Sequence, residues 1–205
     1  HPKDISDKLI DCYRDCEKLC KNIHLPVQAG NDEILKRMNR HYNISRYLDI
    51  ISKLRAACSD IAISTDIIVG FPGESEEQFE DTLNLVKEVE YDSAFTFLYS
   101  PRPGTPAAEF PDQISYEIKH ERFERLQKIV NECSYKKNKQ YDNKIVKVLV
   151  DGKSKKNKDM WTGRADDFKL VNFSCDKDLY LTGNLVDVLI TEVKTFSLEG
   201  EMVRR

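Results

Sequence analysis

The pattern of hydrophobic residues changes near Tyr141, and this change limits the folds open to the chain. Before it, apolar runs typical of strands alternate with segments of helical periodicity. After it, short alternating runs such as "KIVKVLVDG" and "YLTGNLVDVLITEV" follow one another, joined by Gly, Asp and Asn turns, without a helical segment between them. The sequence therefore predicts an α/β domain over residues 1–138 and a small all-β barrel over residues 139–205.

The first domain should contain three strands, which lie at "IHLPV" (23–27), "IAISTDIIVG" (61–70) and "SAFTFLYS" (93–100). Segments of helical periodicity separate them, and a long charged helix should follow over residues 115–139. Strands joined through helices pair in parallel. Three parallel strands make an incomplete sheet or a piece of a larger barrel. The edge of the first strand (23–28) would then be unpaired, so we expect dimerisation or edge pairing through it.

Composition indicates an ordinary globular protein, with 40% hydrophobic and 33% charged residues and a formal net charge of −3. No apolar run approaches the roughly 20 residues that cross a bilayer, so we expect no membrane partner and a cytoplasmic location. Six cysteines are too sparse for a disulfide scaffold. Residues 136–169 contain eleven Lys/Arg against five Asp, which indicates either a basic module or a solvated lysine-rich surface.

Cys12, Cys16, Cys20 and His24 are spaced by four, which resembles a metal site. The helical pattern places all three cysteines on one helix, and twelve helical residues span about 18 Å. Bonds of about 2.0–2.3 Å cannot gather ligands over that length. We therefore predict no metal site here and expect Cys12 and Cys16 to pack as small apolar residues.

Polar residues and glycines follow the predicted strands. On the first strand His24, Pro26 and Gln28 share one face, which suits either a ligand pocket or a core histidine beside an exposed glutamine. Gly30 lets the backbone turn closely. Asp66 lies among apolar residues and needs a partner, from the protein or from a ligand.

The next two strands end in similar loops. "GFPGES" supplies Gly70 and Gly73, and Ser75 with Gln78 fits a capping box for the helix that follows. "YSPRPGTPAAEF" supplies Tyr99 and Arg102. Ligands of α/β folds bind at such strand ends. None of these loops contains a plausible nucleophile–base pair, so we assign no catalytic residue.

In the second domain aromatic residues alternate with cations. Lys155, Lys156, Lys158 and Arg164 lie near Trp161, a combination that suits stacking and phosphate contacts with RNA. A barrel this small also needs aromatics for its core. We take Trp161 and Arg164 as the exposed candidates.

Four blocks together resemble the MiaB-type tRNA methylthiotransferases of the radical S-adenosylmethionine (SAM) class: "HLPVQAGNDEILKRMNRHY", "STDIIVGFPGESEEQFEDTL", "DSAFTFLYSPRPGTPAA" and "SLEGE". The resemblance covers essentially the whole chain. It implies half of a TIM-type radical SAM barrel followed by a TRAM domain that binds RNA. It also implies conversion of an isopentenyl-adenosine beside the anticodon into its 2-methylthio form, with SAM and two [4Fe–4S] clusters.

Matched block by block, the resemblance places one set of residues near SAM: Gln28, Gly30, Asp66, Gly70, Gly73 and Tyr99. It places a second set near tRNA: Arg102, Lys155, Lys156, Lys158, Trp161 and Arg164. The family's C-x3-C-x2-C cluster motif is absent, and Cys12, Cys16 and Cys20 have the wrong spacing. The resemblance therefore implies a C-terminal half whose clusters come from the N-terminal half of the same polypeptide, and which should be inactive alone.

Two alternatives stay open. One is a fragment of a ribosomal-protein methylthiotransferase, although the "SPRPGT" loop with Arg102 resembles the tRNA-modifying branch more. The other is a stand-alone, non-catalytic RNA-binding protein with a degenerate α/β domain. An iron–sulfur cluster bound by these residues alone would contradict the implied half-enzyme.

Overall fold

The computed structural model describes residues 1–175 and 179–203. Within these ranges the helices are α1 (Asp7–Asp15), α2 (Asp32–Arg37), α3 (Ile44–Ala57), α4 (Glu76–Val89) and α5 (Tyr116–Lys139). The strands are β1 (Asn22–His24), β2 (Ala62–Val69), β3 (Ser93–Leu98), β4 (Ile145–Lys153), β5 (Trp161–Ala165), β6 (Leu170–Ser174), β7 (Leu185–Val193) and β8 (Leu198–Met202). None of the described helices has both the length and the apolar character needed to cross a membrane.

The first three strands form one parallel sheet, as the sequence predicts, and β2 lies in its centre. Alternate residues of β2, such as Ile63 and Ile67, pack against α3, α4 and α5 and are fully buried. The opposite face of the sheet is open, because Phe95 and Phe97 of β3 are exposed there. This one-sided cover is what a segment of a larger barrel would show.

Local signals set the starts of the helices. Ser75 and Gln78 form the predicted capping box at the start of α4. The Asn31 side chain accepts hydrogen bonds from the amides of Glu33 and Ile34 and so caps α2. Both caps lie directly after a strand-end loop, so they fix where each loop turns back along the sheet.

β1 is shorter than the predicted strand over 23–28. It ends at His24, and the chain returns to the sheet through an isolated bridge between Gln28 and Ile67. The hydroxyl of Tyr47 donates to the Leu25 carbonyl at 2.9 Å, and that of Tyr42 donates to the Val27 carbonyl at 2.9 Å. Side-chain hydroxyls therefore replace ladder partners over this stretch, where Pro26 has no N–H to donate.

The predicted cysteine helix is wrong. α1 ends at Asp15, so Cys16 is its C-cap and Cys20 lies in the turn that leads to β1. The Tyr13 hydroxyl donates to the Asn22 carbonyl at 2.9 Å and ties this return segment to the helix. Cys12, Cys16 and Cys20 are exposed rather than packed as core residues.

The remaining strands close into a barrel in the order β4-β5-β6-β8-β7, as the sequence predicts for a small all-β domain. β6 and β8 pair in parallel, whereas the other neighbouring strands are antiparallel. The barrel has its own core, which is separate from that of the sheet and includes Val148, Val171, Phe173 and Val188.

Polar contacts join the barrel to the sheet. Lys169 Nζ lies 2.9 Å from Asp92 Oδ1, and the two side chains are only 9% and 14% exposed. Asp92 also accepts a hydrogen bond from the Ile63 amide at 2.9 Å. We call the Asp92–Lys169 pair the seam ion pair. Near it the Asn138 side-chain amide donates to the Lys194 carbonyl at 2.8 Å, which links α5 to the turn after β7.

Candidate functional site

The open face of the sheet presents polar groups between aromatic rings. His24 Nδ1 lies 3.0 Å from Ser64 Oγ, and His24 Nε2 lies 3.4 Å from Asp66 Oδ1. The Phe95 ring stands edge-on to His24, with ring centroids 6.0 Å apart. Asp66 thus finds a protein partner, as its sequence position requires. Sequence reasoning put His24 on this face and left it out of the candidate site, although its alternation with Gln28 was the available signal.

The exposure of Gln28 and His24 excludes one of the two interpretations given above for this face. Gln28 is buried and His24 is exposed, so the pair is not a core histidine beside an exposed glutamine. Gln28 has a positive φ of 72°, a conformation uncommon for a residue with a side chain. Its amide donates to the Asp66 carbonyl at 2.8 Å, and its carbonyl accepts from the Ile68 amide at 2.9 Å. Gln28 therefore lies beside Asp66 on the carboxyl side of the sheet.

Gly30 is explained by packing against α4. Its amide donates to the Thr82 hydroxyl at 2.9 Å, and a Cβ at this position would collide with the Thr82 backbone. This close approach requires glycine whether or not a ligand is present.

The turn after β2 is held by a buried charge network. Gly70 and Gly73 both have positive φ, which glycine adopts without strain. The Gly70 amide donates to Glu74 Oε2 at 2.9 Å, and Arg122 Nη1 of α5 donates to the same oxygen at 3.0 Å. Burial raises the pKa of the Glu74 carboxyl above its ordinary value, and the Gly70 amide and Arg122 counter this rise only in part. Sequence reasoning missed both Glu74 and Arg122, because their pairing joins segments far apart in the chain.

Tyr99 lies at the same edge of the sheet, directly after β3. Its amide donates to the Val69 carbonyl at 2.8 Å, and its ring meets Phe71 edge-on at 5.1 Å between centroids. Lys119 Nζ of α5 donates to the Tyr99 carbonyl at 3.1 Å. The buried Tyr99 hydroxyl has no hydrogen-bond partner within the described residues. A buried polar atom of this kind is a natural contact for a polar ligand.

The predicted SAM residues lie along the carboxyl side of the sheet: Gly70 and Tyr99 directly follow β2 and β3, Gly73 lies in the next turn, and Gln28 lies beside Asp66 within the sheet. This edge fits a polar, adenosine-containing cofactor in its donors, acceptors and aromatic rings. Within the described part of the chain, no group of three His, Cys, Asp or Glu residues lies in a position to hold a metal ion. The contacts of each residue with SAM remain a prediction.

The predicted RNA residues separate into distinct places. Lys155, Lys156 and Lys158 are exposed in the turn between β4 and β5, whereas Arg164 lies at the opposite end of β5. Arg102 is exposed in the loop after β3, on the sheet domain. These cations can contact phosphates, but they do not form one compact patch.

The predicted exposure of Trp161 is wrong. Its side chain is only 4% exposed and packs in the barrel core with Val171 and Phe173. β5 alternates buried and half-buried residues, and Trp161 shares the inward phase with Gly163 and Ala165. Lys153 Nζ covers the Trp161 ring at 4.2 Å from its centroid. Trp161 is therefore unavailable for base stacking.

Comparison with known proteins finds similarity in two parts of the chain. The model of the Radical SAM superfamily matches residues 2–86, and the TRAM domain model matches residues 139–203. The chain is 57% identical over 203 residues to the tRNA-2-methylthio-N(6)-dimethylallyladenosine synthase of Clostridium botulinum (strain Okra / Type B1), and 54% identical over 203 residues to that of Clostridium tetani. These matches cover 99% of this chain but only 45% and 44% of the relatives, and the chain corresponds to their C-terminal part.

A solved structure supports the fold. Coproporphyrinogen III oxidase from Escherichia coli, a radical SAM enzyme, superposes with a TM-score of 0.56 at 16% identity. The match covers 80% of this chain and 45% of the oxidase. At this identity the likeness concerns the fold alone.

Proposed function

We propose that this chain is the cofactor-closing and tRNA-docking part of a tRNA methylthiotransferase. The longer enzyme would convert isopentenyl-adenosine beside the anticodon into its 2-methylthio derivative. The observation that carries the proposal is the 57% identity, over essentially the whole chain, to a synthase named for this product. The four sequence blocks quoted above occur in the order typical of this family. We therefore prefer this reaction to a different one on the same scaffold.

The open edge of the sheet gives the chain its part in this function. SAM, when bound, would supply the methyl group and the radical. Tyr99 and Gly70 would hold it at the strand ends, and Asp66, oriented by His24, would accept hydrogen bonds from it. The chain would contribute binding, orientation and exclusion of water, since cofactor enzymes leave the difficult chemistry to the cofactor.

Both [4Fe–4S] clusters would come from the N-terminal half of the same polypeptide. That half would also cover Phe95 and Phe97 and pair with β1. Where it is missing, the β1 edge would be free to pair with a second copy, which light scattering at rising concentration tests. A cytoplasmic location is part of the same proposal.

The proposal is tested by the modified nucleoside and by the metal content. In a strain without its own synthase, we expect the 2-methylthio nucleoside to return with the longer reading frame that contains the cluster cysteines. We expect no return with the 205-residue chain alone. After anaerobic reconstitution, this chain should show no stoichiometric [4Fe–4S] signal in electron paramagnetic resonance.

Three results would contradict the proposal in different ways. A stoichiometric cluster on the 205-residue chain would contradict the proposal that both clusters come from the N-terminal half. Methylthiolation of a ribosomal protein, with unmodified tRNA, would establish the ribosomal branch instead. A reading frame that starts at this segment, together with tRNA binding and no modified nucleoside, would establish a non-catalytic RNA-binding protein.

A further inference from the structure

A cleft of about 430 Å³ lies at the seam between the sheet and the barrel. Phe95 and His24 line it from the sheet, and Arg164, Phe168 and Phe196 line it from the barrel. The seam ion pair also faces the cleft, so a buried contact holds the two walls at a fixed separation. The cleft lies at the start of β3, whereas the predicted SAM residues Gly70 and Tyr99 follow the ends of β2 and β3. His24 lies between the two places, because it lines the cleft and also contacts Asp66.

Neither the backbone conformation nor the burial of Phe168 accounts for a phenylalanine at this position. It lies in the tight turn between β5 and β6, where its amide donates to the Ala165 carbonyl at 2.9 Å. Its φ is +70°, in the left-handed region that such hairpin turns usually fill with glycine or asparagine. The ring is 60% exposed, so it gains little from burial. Backbone strain combined with an exposed aromatic ring is typical of a binding position.

Two neighbouring side chains, a cation and a second aromatic ring, lie in the same cleft as Phe168. The Arg164 guanidinium lies over the Phe168 ring, 4.7 Å from its centroid, and donates to the Phe168 carbonyl at 3.3 Å. A guanidinium has five N–H donors, so the same group can also bind a phosphate. Phe196, in the turn between β7 and β8, lines the same cleft with its ring 72% exposed.

We propose that the seam cleft holds one unpaired nucleotide of the RNA substrate, with its base against Phe168 and Phe196 and a phosphate at Arg164. The inference rests on the proposed tRNA-docking function. Exposed rings beside a guanidinium are the means by which proteins bind unstacked bases and the adjoining backbone. An extended peptide would need apolar pockets for its side chains, whereas the rings of Phe95, Phe168 and Phe196 are exposed around this cleft beside the Arg164 cation.

The test uses Phe168→Gly, because folding and binding should respond to it in opposite directions. Glycine relieves the left-handed turn, so we expect an unchanged or higher melting temperature. Loss of one stacking ring should weaken binding of an anticodon stem-loop RNA about tenfold, measured by fluorescence anisotropy. The slope of log K against log[salt] should not change. Tyr116→Ala removes a 62% exposed ring from the start of α5 and should leave binding unchanged.

Arg164→Ala tests the phosphate contact separately. It should lower the salt slope by about 0.7, the contribution of one single-strand phosphate contact. A fully paired RNA hairpin should be insensitive to Phe168→Gly, since it offers no unstacked base.

The possible failures are distinguishable. If the wild-type chain binds no RNA, the proposed docking function is overturned and the cleft with it. If it binds RNA and both cleft variants bind equally well, the cleft proposal alone is overturned, and a peptide becomes the better occupant. If Phe168→Gly weakens binding and also lowers the melting temperature, Phe168 serves the fold and the proposal is likewise overturned.

Discussion

Glu74 is the single residue on which the strand-end turn depends most. Its side chain is 1% exposed and that of Arg122 is 6% exposed. Glu74→Ala would leave the Arg122 charge and the Gly70 amide buried without this partner. Arg122 keeps its contact with Glu76 at 3.1 Å, so we expect the free energy of unfolding to fall by about 1–3 kcal/mol, measured by urea denaturation. The same change should weaken SAM binding, because Gly70 would lose the contact that positions it.

Glu80→Ala is the matched control for this residue. Glu80 pairs with Arg125 on the same face of α4 and α5, but both side chains are partly exposed. Removal of such a pair should cost about 0–1 kcal/mol. Equal losses for the two variants would show that burial of the Glu74–Arg122 pair has no special importance.

At the scale of one element, the stretch after β1 depends on tyrosine hydroxyls. Burial raises the pKa of both Tyr42 and Tyr47 to about 12, above the ordinary value of 10.0. A raised folded-state pKa gives stability that is fully present below pH 10 and is lost as pH rises toward 12. Two pKa units correspond to at most about 2.7 kcal/mol for each tyrosine. The urea midpoint should therefore fall steeply between pH 10 and 12.

Tyr42→Phe isolates one of these contributions. At neutral pH the variant should lose about 1–3 kcal/mol, because the Val27 carbonyl loses its hydrogen bond. Above pH 10 its stability should fall less steeply than that of the wild type. If the stability of the two proteins falls equally steeply above pH 10, the loss of stability at alkaline pH does not come from Tyr42.

The same element shows what sequence patterns can and cannot predict. The capping residues Ser75 and Asn31 were predictable because each cap acts within a few residues of chain. The early end of β1 was not predictable, because the Tyr42 and Tyr47 hydroxyls reach it from another element. The positions of Gly70 and Tyr99 directly after β2 and β3 followed from the order of the predicted strands. The Glu74–Arg122 pair and the seam cleft depend on packing between distant segments.

Trp161 illustrates the limit for the barrel. Its neighbouring lysines suggested an exposed stacking ring, while the register of β5 turned it inward against Phe173. Five-residue strands can present either face to the interior, and a shift of one residue exchanges the two faces. The register is set by pairing with β4 and β6 rather than by the composition of β5 itself.

At the scale of the whole molecule, the seam ion pair should make the sheet and the barrel unfold together. The chain contains one tryptophan, Trp161, and it lies in the barrel core. Its fluorescence therefore reports the barrel, while far-ultraviolet circular dichroism is dominated by the helices that cover the sheet. In the wild type the two signals should change at one urea midpoint.

Lys169→Met should separate the two signals. The variant leaves the Asp92 carboxylate buried without its cation, and loss of one partner from a buried pair costs about 3–5 kcal/mol. Each domain has its own core, so each can unfold at its own urea concentration once the contact between them is weakened.

Lys136→Met is the matched control, because Lys136 pairs with Glu90 at an exposed site within the sheet domain. A single shared midpoint in Lys169→Met would show that the seam ion pair does not couple the domains. Since the same pair sets the width of the seam cleft, separated midpoints should be accompanied by weaker binding of the anticodon stem-loop RNA.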